Sequence, residues 1–415
     1  MAELKTLKSE DVVIRFPKYT NQVKYVVGNL DKFQKHVMEP YSILACDFLH
    51  ALSKTILHDI EAKQYPDVVS FGYWCRRGNV DSLRKKYNEK NIRLGRGIIF
   101  HIAPSNVPVN FAFSFAFSLL SGNSNIVRIP SKAFPQVEII CRIITEVILQ
   151  AKYNSLAESN LFISYERDDA ITAHYSKECD GRIVWGGSQT INSIRKLKIP
   201  ERSIEVTFAD RYSFCVINAS ELMQCDDTSF DRIVSRFYND TYLMDQNACS
   251  SPHFVLWISE EKIISDVSSL FWSKLAALVQ EKYEMEPVMA VDKLTLLYQS
   301  VIDQDEINNV DQYGNALYVL SLSSISENLD TLRGLYGHFY QYRTTNINIL
   351  SQFINQSYQT MTYYGVEKKI LVDFVKRNKI SGIDRIVPIG SALDISIIWD
   401  GYDLVRTLSR IIEIL

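Results

Sequence analysis

A lone thiol in a polar turn is the residue of this chain best suited to covalent chemistry. Cys249 stands in Met244-Asp-Gln-Asn-Ala-Cys249-Ser-Ser-Pro-His253, and the apolar run Phe254–Trp257 follows at once. A cysteine there is open to ionisation, which nucleophilic attack requires. Far upstream, Ile102-Ala-Pro-Ser-Asn106-Val-Pro108 closes a strand-like run with a carboxamide held between two prolines. A thiol and a rigid amide donor are the minimum equipment for acyl chemistry through a tetrahedral oxyanion. One such donor is worth about 3 kcal/mol in the transition state.

Both residues have plainer readings. Most free cysteines are small core residues, and Cys46, Cys141 and Cys215 sit in apolar periodic segments that suit that role. Cys249 is instead surrounded by Asp245, Gln246, Asn247, Ser250 and Ser251. Asn beside Pro is ordinarily a turn former, but Asn106 falls at the carboxyl end of a strand, where ligands gather in open α/β sheets. His253, four residues after Cys249, precedes a strand and is read as structural or solvent-facing. No G-x-S-x-G element points to a serine hydrolase. The seven histidines show no H-x-x-x-H spacing, so no metal site is expected.

The elements that must hold these residues alternate between strand and helix. Residues 1 to about 90 read mostly as helix; strands are expected at 98–102, 125–129, 161–164, 182–185, 213–217, 253–258 and 316–322. Helices fall between them, including an apolar one within 107–120. That alternation signals parallel βαβ units with helices on both faces. The expected organisation is a helical segment over 1–90, a nicotinamide-binding domain over 91–215, a catalytic domain over 216–380 and a C-terminal segment over 381–415.

Composition narrows the class. A hydrophobic fraction of 47% and a charged fraction of 22% are those of a globular protein. A formal net charge of −3 argues against a phosphate-driven nucleic-acid binder. Seven scattered cysteines without C-x-x-C argue against a disulfide framework and for a reducing, cytoplasmic compartment. Neither a secretory signal nor a spanning helix is expected, because the longest apolar stretch falls short of the roughly 20 residues required.

Cofactor signals are weaker. Ile183-Val-Trp-Gly186-Gly187-Ser188 reads as a strand, two glycines and a helix start, whose amides suit a pyrophosphate; a plain strand-to-helix turn is the other reading. Arg128-Ile-Pro-Ser131-Lys132 ends a strand with two cations and a hydroxyl, suited to a ribose phosphate.

Taken in order, several blocks resemble the LuxC-type fatty acyl-thioester reductases, distant members of the aldehyde dehydrogenase superfamily. They are Gly72–Val80, Gly97–Pro108, Leu120–Ser131, Gly186–Ser188, the Cys249 turn, Tyr358–Gly365, Gly382–Gly390 and Trp399–Gly401. The resemblance implies an aldehyde dehydrogenase-like α/β fold, two Rossmann-like parallel-sheet domains with an active-site cleft between them. It makes Cys249 the nucleophile and Asn106 the oxyanion donor. Ala103, Pro104, Ser105, Arg128, Ser131, Lys132, Gly186, Gly187 and Ser188 would then line the cofactor site. Ser131 stands where many relatives carry an acid that disfavours a 2′-phosphate, which leans towards NADPH. Aligned on Arg211, the resemblance puts Thr207 where hydrolytic relatives carry the glutamate that activates water, and a register shift of two residues would put Glu205 there instead. The implied activity is NADPH-dependent reduction of an acyl-CoA or acyl-protein thioester to the aldehyde through acyl-Cys249. An acyl-protein synthetase partner and a homo-oligomer, dimer or tetramer, are also implied. A thiol acyltransferase or thioesterase, or a non-catalytic assembly subunit, are the other classes.

Overall fold

A computed structural model describes residues 22–104 and 107–414 of the chain. The chain forms two compact units: the described residues up to Ala209 together with those from Tyr402 onward, and Asp210–Gly401. Both units are mixed α/β with mostly parallel sheets.

The strands of the first unit are β1 (Lys24–Val27), β2 (Ile92–Gly95), β3 (Ile98–Ile102), β4 (Ser124–Arg128), β5 (Asn160–Ser164), β6 (Gly181–Trp185) and β7 (Ile204–Phe208). Six of them form one sheet in the order β1-β5-β4-β3-β6-β7, parallel except for β1 against β5. β2 pairs separately, antiparallel to the C-terminal strand Ser409–Ile412. Every residue of β3 is buried, as expected of a strand covered on both faces. Helix Asn110–Leu120 buries Phe111, Phe113, Phe115 and Phe117 all round its circumference, so it lies inside. Phe71, Trp74, Phe48 and Phe162 meet these rings edge-on.

A buried polar chain ties the central strands together. Trp185 Nε1 donates to Ser114 Oγ at 3.1 Å, and Ser114 Oγ lies 2.8 Å from His101 Nδ1. His101 Nε2 lies 3.0 Å from Asn125 Oδ1, while Asn125 Nδ2 donates to Asn160 Oδ1 at 2.7 Å. Oδ1 is an acceptor only, so the proton sits on Nε2 and Nδ1 accepts from Ser114. Burial holds the imidazole neutral, its pKa pushed down to about 4.

The second unit contains β8 (Tyr212–Asn218), β9 (Pro252–Ile258), β10 (Ile307–Tyr313), β11 (Leu317–Leu322), β12 (His338–Thr344), β13 (Tyr358–Tyr364) and β14 (Arg385–Pro388). Their order is β10-β11-β12-β9-β8-β13-β14, with only β10 against β11 antiparallel among the described pairs. One face packs Cys215, Val255, Trp257 and Phe339 against Phe237, Phe271 and Trp272. The other collects Tyr212, Phe214, Leu256, Tyr340, Tyr358 and Met361. Gln341 sits buried in this apolar setting with both polar atoms of its amide bonded. Oε1 accepts from Trp257 and Trp272 Nε1, both at 2.9 Å, and Nε2 donates to Ser321 Oγ at 2.9 Å.

Both sheets are doubly wound. In the first, the chain runs β3 to β4 to β5 and then crosses to β6 on the other side of β3. In the second, it proceeds from β8 to β9 and on to β12, then crosses to β13 beside β8. The carboxyl ends of β3 and β6 therefore form a topological switch point, the place in such sheets where ligands bind.

Glu205 faces Arg182 across β7 and β6. Arg182 Nε donates to Glu205 Oε2 at 2.8 Å and Arg195 Nε donates to Oε1 at 3.0 Å. The Arg182 side chain is only 2% exposed and that of Glu205 16%. Removing one partner strands a buried charge. Glu205→Ala is therefore expected to lower stability by about 3 kcal/mol or more in chemical denaturation. A loss near zero would show that water repays the guanidinium.

Candidate functional site

The Cys249 loop is fixed from both ends. At its start, Asp245 and Gln246 adopt positive φ, 53° and 62°. The buried Gln246 side chain accepts from Gly337 and His338 N–H at 3.1 and 3.2 Å and donates to Pro252 and His338 C=O at 3.1 and 3.0 Å. All its hydrogen-bonding capacity is spent on joining the loop to the starts of β9 and β12. Past the thiol, Ser251 Oγ donates to Asp240 C=O at 2.8 Å. Ser213 Oγ donates to the Cys249 carbonyl at 2.6 Å and accepts from Thr360 N–H at 3.1 Å. Cys249 itself is half-buried.

Its sulfur meets a carboxylate: Cys249 Sγ donates to Asp210 Oδ1 at 3.6 Å, and Arg333 Nη1 donates to the same oxygen at 2.8 Å. Beside them, Arg211 is bonded to Asp384 and to the Tyr358 carbonyl, and its Nη1 lies 3.4 Å from Asp400. Burial raises Asp400 to about 6. Burial likewise pushes the Cys249 thiol up to about 11; Asp210 and Asp400 add to the rise, while the Arg211 backbone N–H and Arg333 oppose it. His253 is no base for this thiol. It is buried, its Nδ1 accepts from Gly334 N–H at 3.1 Å, and burial depresses it to about 3.

Asp210, Arg333 and Asp400 escaped sequence reasoning. Asp210 and Arg333 lie 39 positions before and 84 positions after Cys249 in the chain. No local spacing announces them. Trp399–Gly401 and Gly382–Gly390 were visible as blocks, and their acids converge on Arg211. This whole cluster gathers at the amino ends of β8, β9, β12, β13 and β14.

In the first unit, Ala103 and Pro104 follow β3 directly, and Gly186 and Gly187 follow β6. These four expected cofactor residues therefore meet at the switch point. Ser105 and Asn106 lie outside the described residues. Ser188 opens helix Ser188–Arg195 and is exposed. Gly187 precedes it with an open side: a Cβ there would meet nothing within 4 Å. Arg128 ends β4; its guanidinium lies 4.4 Å from the Tyr165 ring centroid, one Nη donates to the Tyr165 carbonyl at 3.3 Å, and Nε is buried without a partner among the described residues. Next to it a groove of about 410 Å³ is lined by Lys24, Ser131, Ser164, Tyr165 and Glu166. Lys132 rests over Phe134, 5.1 Å from its centroid. Both oxygens of Glu205 are taken by arginines, and Thr207 Oγ1 accepts from Arg195 at 3.3 Å.

With a thiol at about 11, alkylation of Cys249 should accelerate continuously from pH 7 to pH 10. Asp210→Asn removes a negative charge that opposes the thiolate, lowers the thiol pKa and should speed iodoacetamide labelling at pH 8 several-fold. Arg333→Ala should slow it. Unchanged rates in both variants would dissociate these side chains from the sulfur.

The match to the LuxC acyl-CoA reductase family model runs over residues 75–411. No functionally curated sequence matches the chain. Among solved structures, the fold is similar to an NAD-dependent benzaldehyde dehydrogenase from Corynebacterium glutamicum, with a TM-score of 0.59 and 12% identity over 89% of this chain and 85% of that one. It is similar to a 1-pyrroline-5-carboxylate dehydrogenase mutant from Thermus thermophilus, with a TM-score of 0.59 and 12% identity over 88% and 80%. It is also similar to the glyceraldehyde-3-phosphate dehydrogenase GapN of Methanocaldococcus jannaschii complexed with NADP, with a TM-score of 0.58 and 14% identity over 85% and 82%. Among the described residues no helix is long and apolar enough to cross a membrane. The chain has an aldehyde dehydrogenase-like fold and belongs to the LuxC family of acyl-CoA reductases.

Proposed function

We propose that this enzyme reduces a fatty acyl thioester, acyl-CoA or an acyl group on a protein, to the aldehyde with NADPH through a covalent acyl-Cys249 intermediate. The observation that carries the proposal is the Cys249 S–H directed at the Asp210 carboxylate, 3.6 Å away, from a loop held by Gln246 and Ser213.

The thiol stays protonated at neutral pH, so attack and deprotonation must be coupled. Asp210 accepts the sulfur proton as Cys249 attacks the acyl carbon, and the C–S bond to the carrier breaks. The proton passes to the departing thiolate. Asn106 and the Cys249 N–H stabilise the tetrahedral oxyanion. Bound NADPH supplies the hydride. Collapse of the resulting thiohemiacetal releases the aldehyde and returns the sulfur as thiolate, which takes up a proton from solvent by way of Asp210. With Thr207 and the arginine-bound Glu205 in the region where hydrolytic relatives hold a base, no described group there prepares a water.

The residues at the first unit's switch point suit a dinucleotide. The open side of Gly187 and the helix start at Ser188 leave room for a pyrophosphate. Arg128 offers an unspent Nε, and Ser131 and Lys24 in the adjacent groove suit a 2′-phosphate. Glu166 in the same groove opposes that phosphate and tempers the preference. An acyl-protein synthetase as donor, a cytoplasmic setting and a homo-oligomeric state complete the reading.

Cys249→Ala is expected to abolish acyl-CoA-dependent oxidation of NADPH and aldehyde release; residual turnover at the native rate would end the covalent assignment. Glu166→Gln should raise the NADPH-to-NADH ratio of kcat/KM by about three-fold, the scale of one exposed charge contact. Lys24→Ala should lower it. An unmoved ratio in both variants would place the ribose elsewhere.

A further inference from the structure

Helix Pro287–Asp303 of the second unit carries its apolar residues on the wrong side. It buries only Lys293, Leu297 and Ser300. The solvent side displays Val288, Val291, Leu294, Tyr298, Val301 and Ile302, from 40% exposed at Leu294 to 77% at Ile302. Their spacing of three or four residues makes one continuous stripe. The helix has not simply settled in the wrong rotation, because its inner face is anchored by polar bonds. Lys293 Nζ donates to the carbonyls of Asn315 and of Tyr336, and lies 4.6 Å from the Tyr318 centroid. Ser300 Oγ is hydrogen-bonded to Tyr340 Oη at 2.7 Å. Those bonds hold the stripe outward.

We propose that this stripe is a self-association surface on which a second copy of the chain packs its own helix Pro287–Asp303 antiparallel about a two-fold axis. The positions are close to palindromic about Leu294 and Thr295. In that register Val288 meets Val301 of the other copy, Val291 meets Tyr298, and Leu294 lies beside the axis. Val288, Val291, Tyr298 and Val301 thus each find an apolar partner, in the self-complementary manner of an isologous interface. The stripe is on the order of 500 Å², the upper end of what monomers leave bare. A stable pair covers about 800 Å² on each partner, so the stripe supplies the apolar centre of such a patch. A lipid surface fits less well. Glu284, Glu286, Asp303 and Asp305 give the helix ends an exposed acidic border, which an anionic leaflet repels. The same register sets Glu286 opposite Asp303, so added salt should strengthen association. The surface stands independently of the catalytic reading.

The test is sedimentation velocity on the full chain with two complementary double variants, Val291→Glu with Tyr298→Glu and Val291→Lys with Tyr298→Lys. Both positions changed are solvent-facing, and circular dichroism checks that each variant is folded. The wild type should associate at micromolar concentration, and each variant alone should lose that step, its dissociation constant rising about 100-fold or more. Mixing the two should restore association, because Val291→Glu of one chain then faces Tyr298→Lys of the other. A monomeric wild type, variants that associate like the wild type, or a mixture that stays apart would each overturn the proposal, including when the face proves to bind a different protein.

Discussion

Taking a thiol out of water beside a carboxylate is the constraint around which the second unit is arranged. Burial and Asp210 together hold Cys249 in its neutral form, far above the pH at which an exposed cysteine ionises. A sulfur in that state resists stray oxidation and alkylation. In the proposed attack on an acyl carbon its proton passes to the Asp210 carboxylate, the acceptor in contact. Arg333 bonds to the same carboxylate oxygen, which keeps that charge in place without covering the sulfur. The loop's many backbone anchors follow from the same need. On the proposed mechanism the 3.6 Å contact must persist, and those anchors hold the sulfur within it.

The two doubly wound sheets offer opposite ends to chemistry. The first unit presents the carboxyl ends of β3 and β6, the expected place for a ligand in such a sheet. The candidate site of the second lies at the amino ends, where Asp210 precedes β8, Cys249 precedes β9, Arg333 precedes β12 and Asp384 precedes β14. Arg211 knits these loop ends together by bonding to Asp384, Asp400 and the Tyr358 carbonyl.

Much of the fold was legible because strand-helix alternation is a local signal. The strands expected at 98–102 and 253–258 lie at Ile98–Ile102 and Pro252–Ile258. The clustering of Ala103, Pro104, Gly186 and Gly187 also follows from strand ends alone once the sheet is doubly wound. β12 escaped notice because Gln341 and His338 break its apolar run; the bonds Gln341 accepts from two tryptophan N–H groups and gives to Ser321 explain its burial. Asp210 was invisible as a partner of Cys249, since nothing in the chain shows which loop ends converge. The apolar stripe on Pro287–Asp303 teaches the converse. Periodicity announces an apolar face, but the buried Lys293 decides which way it points.

The central claim is that Cys249 carries the acyl group. Intact-protein and peptide mass spectrometry after incubation with a long-chain acyl-CoA, in the absence of any nicotinamide, tests it most directly. The account predicts one acyl unit on the peptide that contains Cys249, removed by hydroxylamine and discharged when NADPH is added. An unmodified Cys249 peptide, or the acyl group on another cysteine, would contradict it.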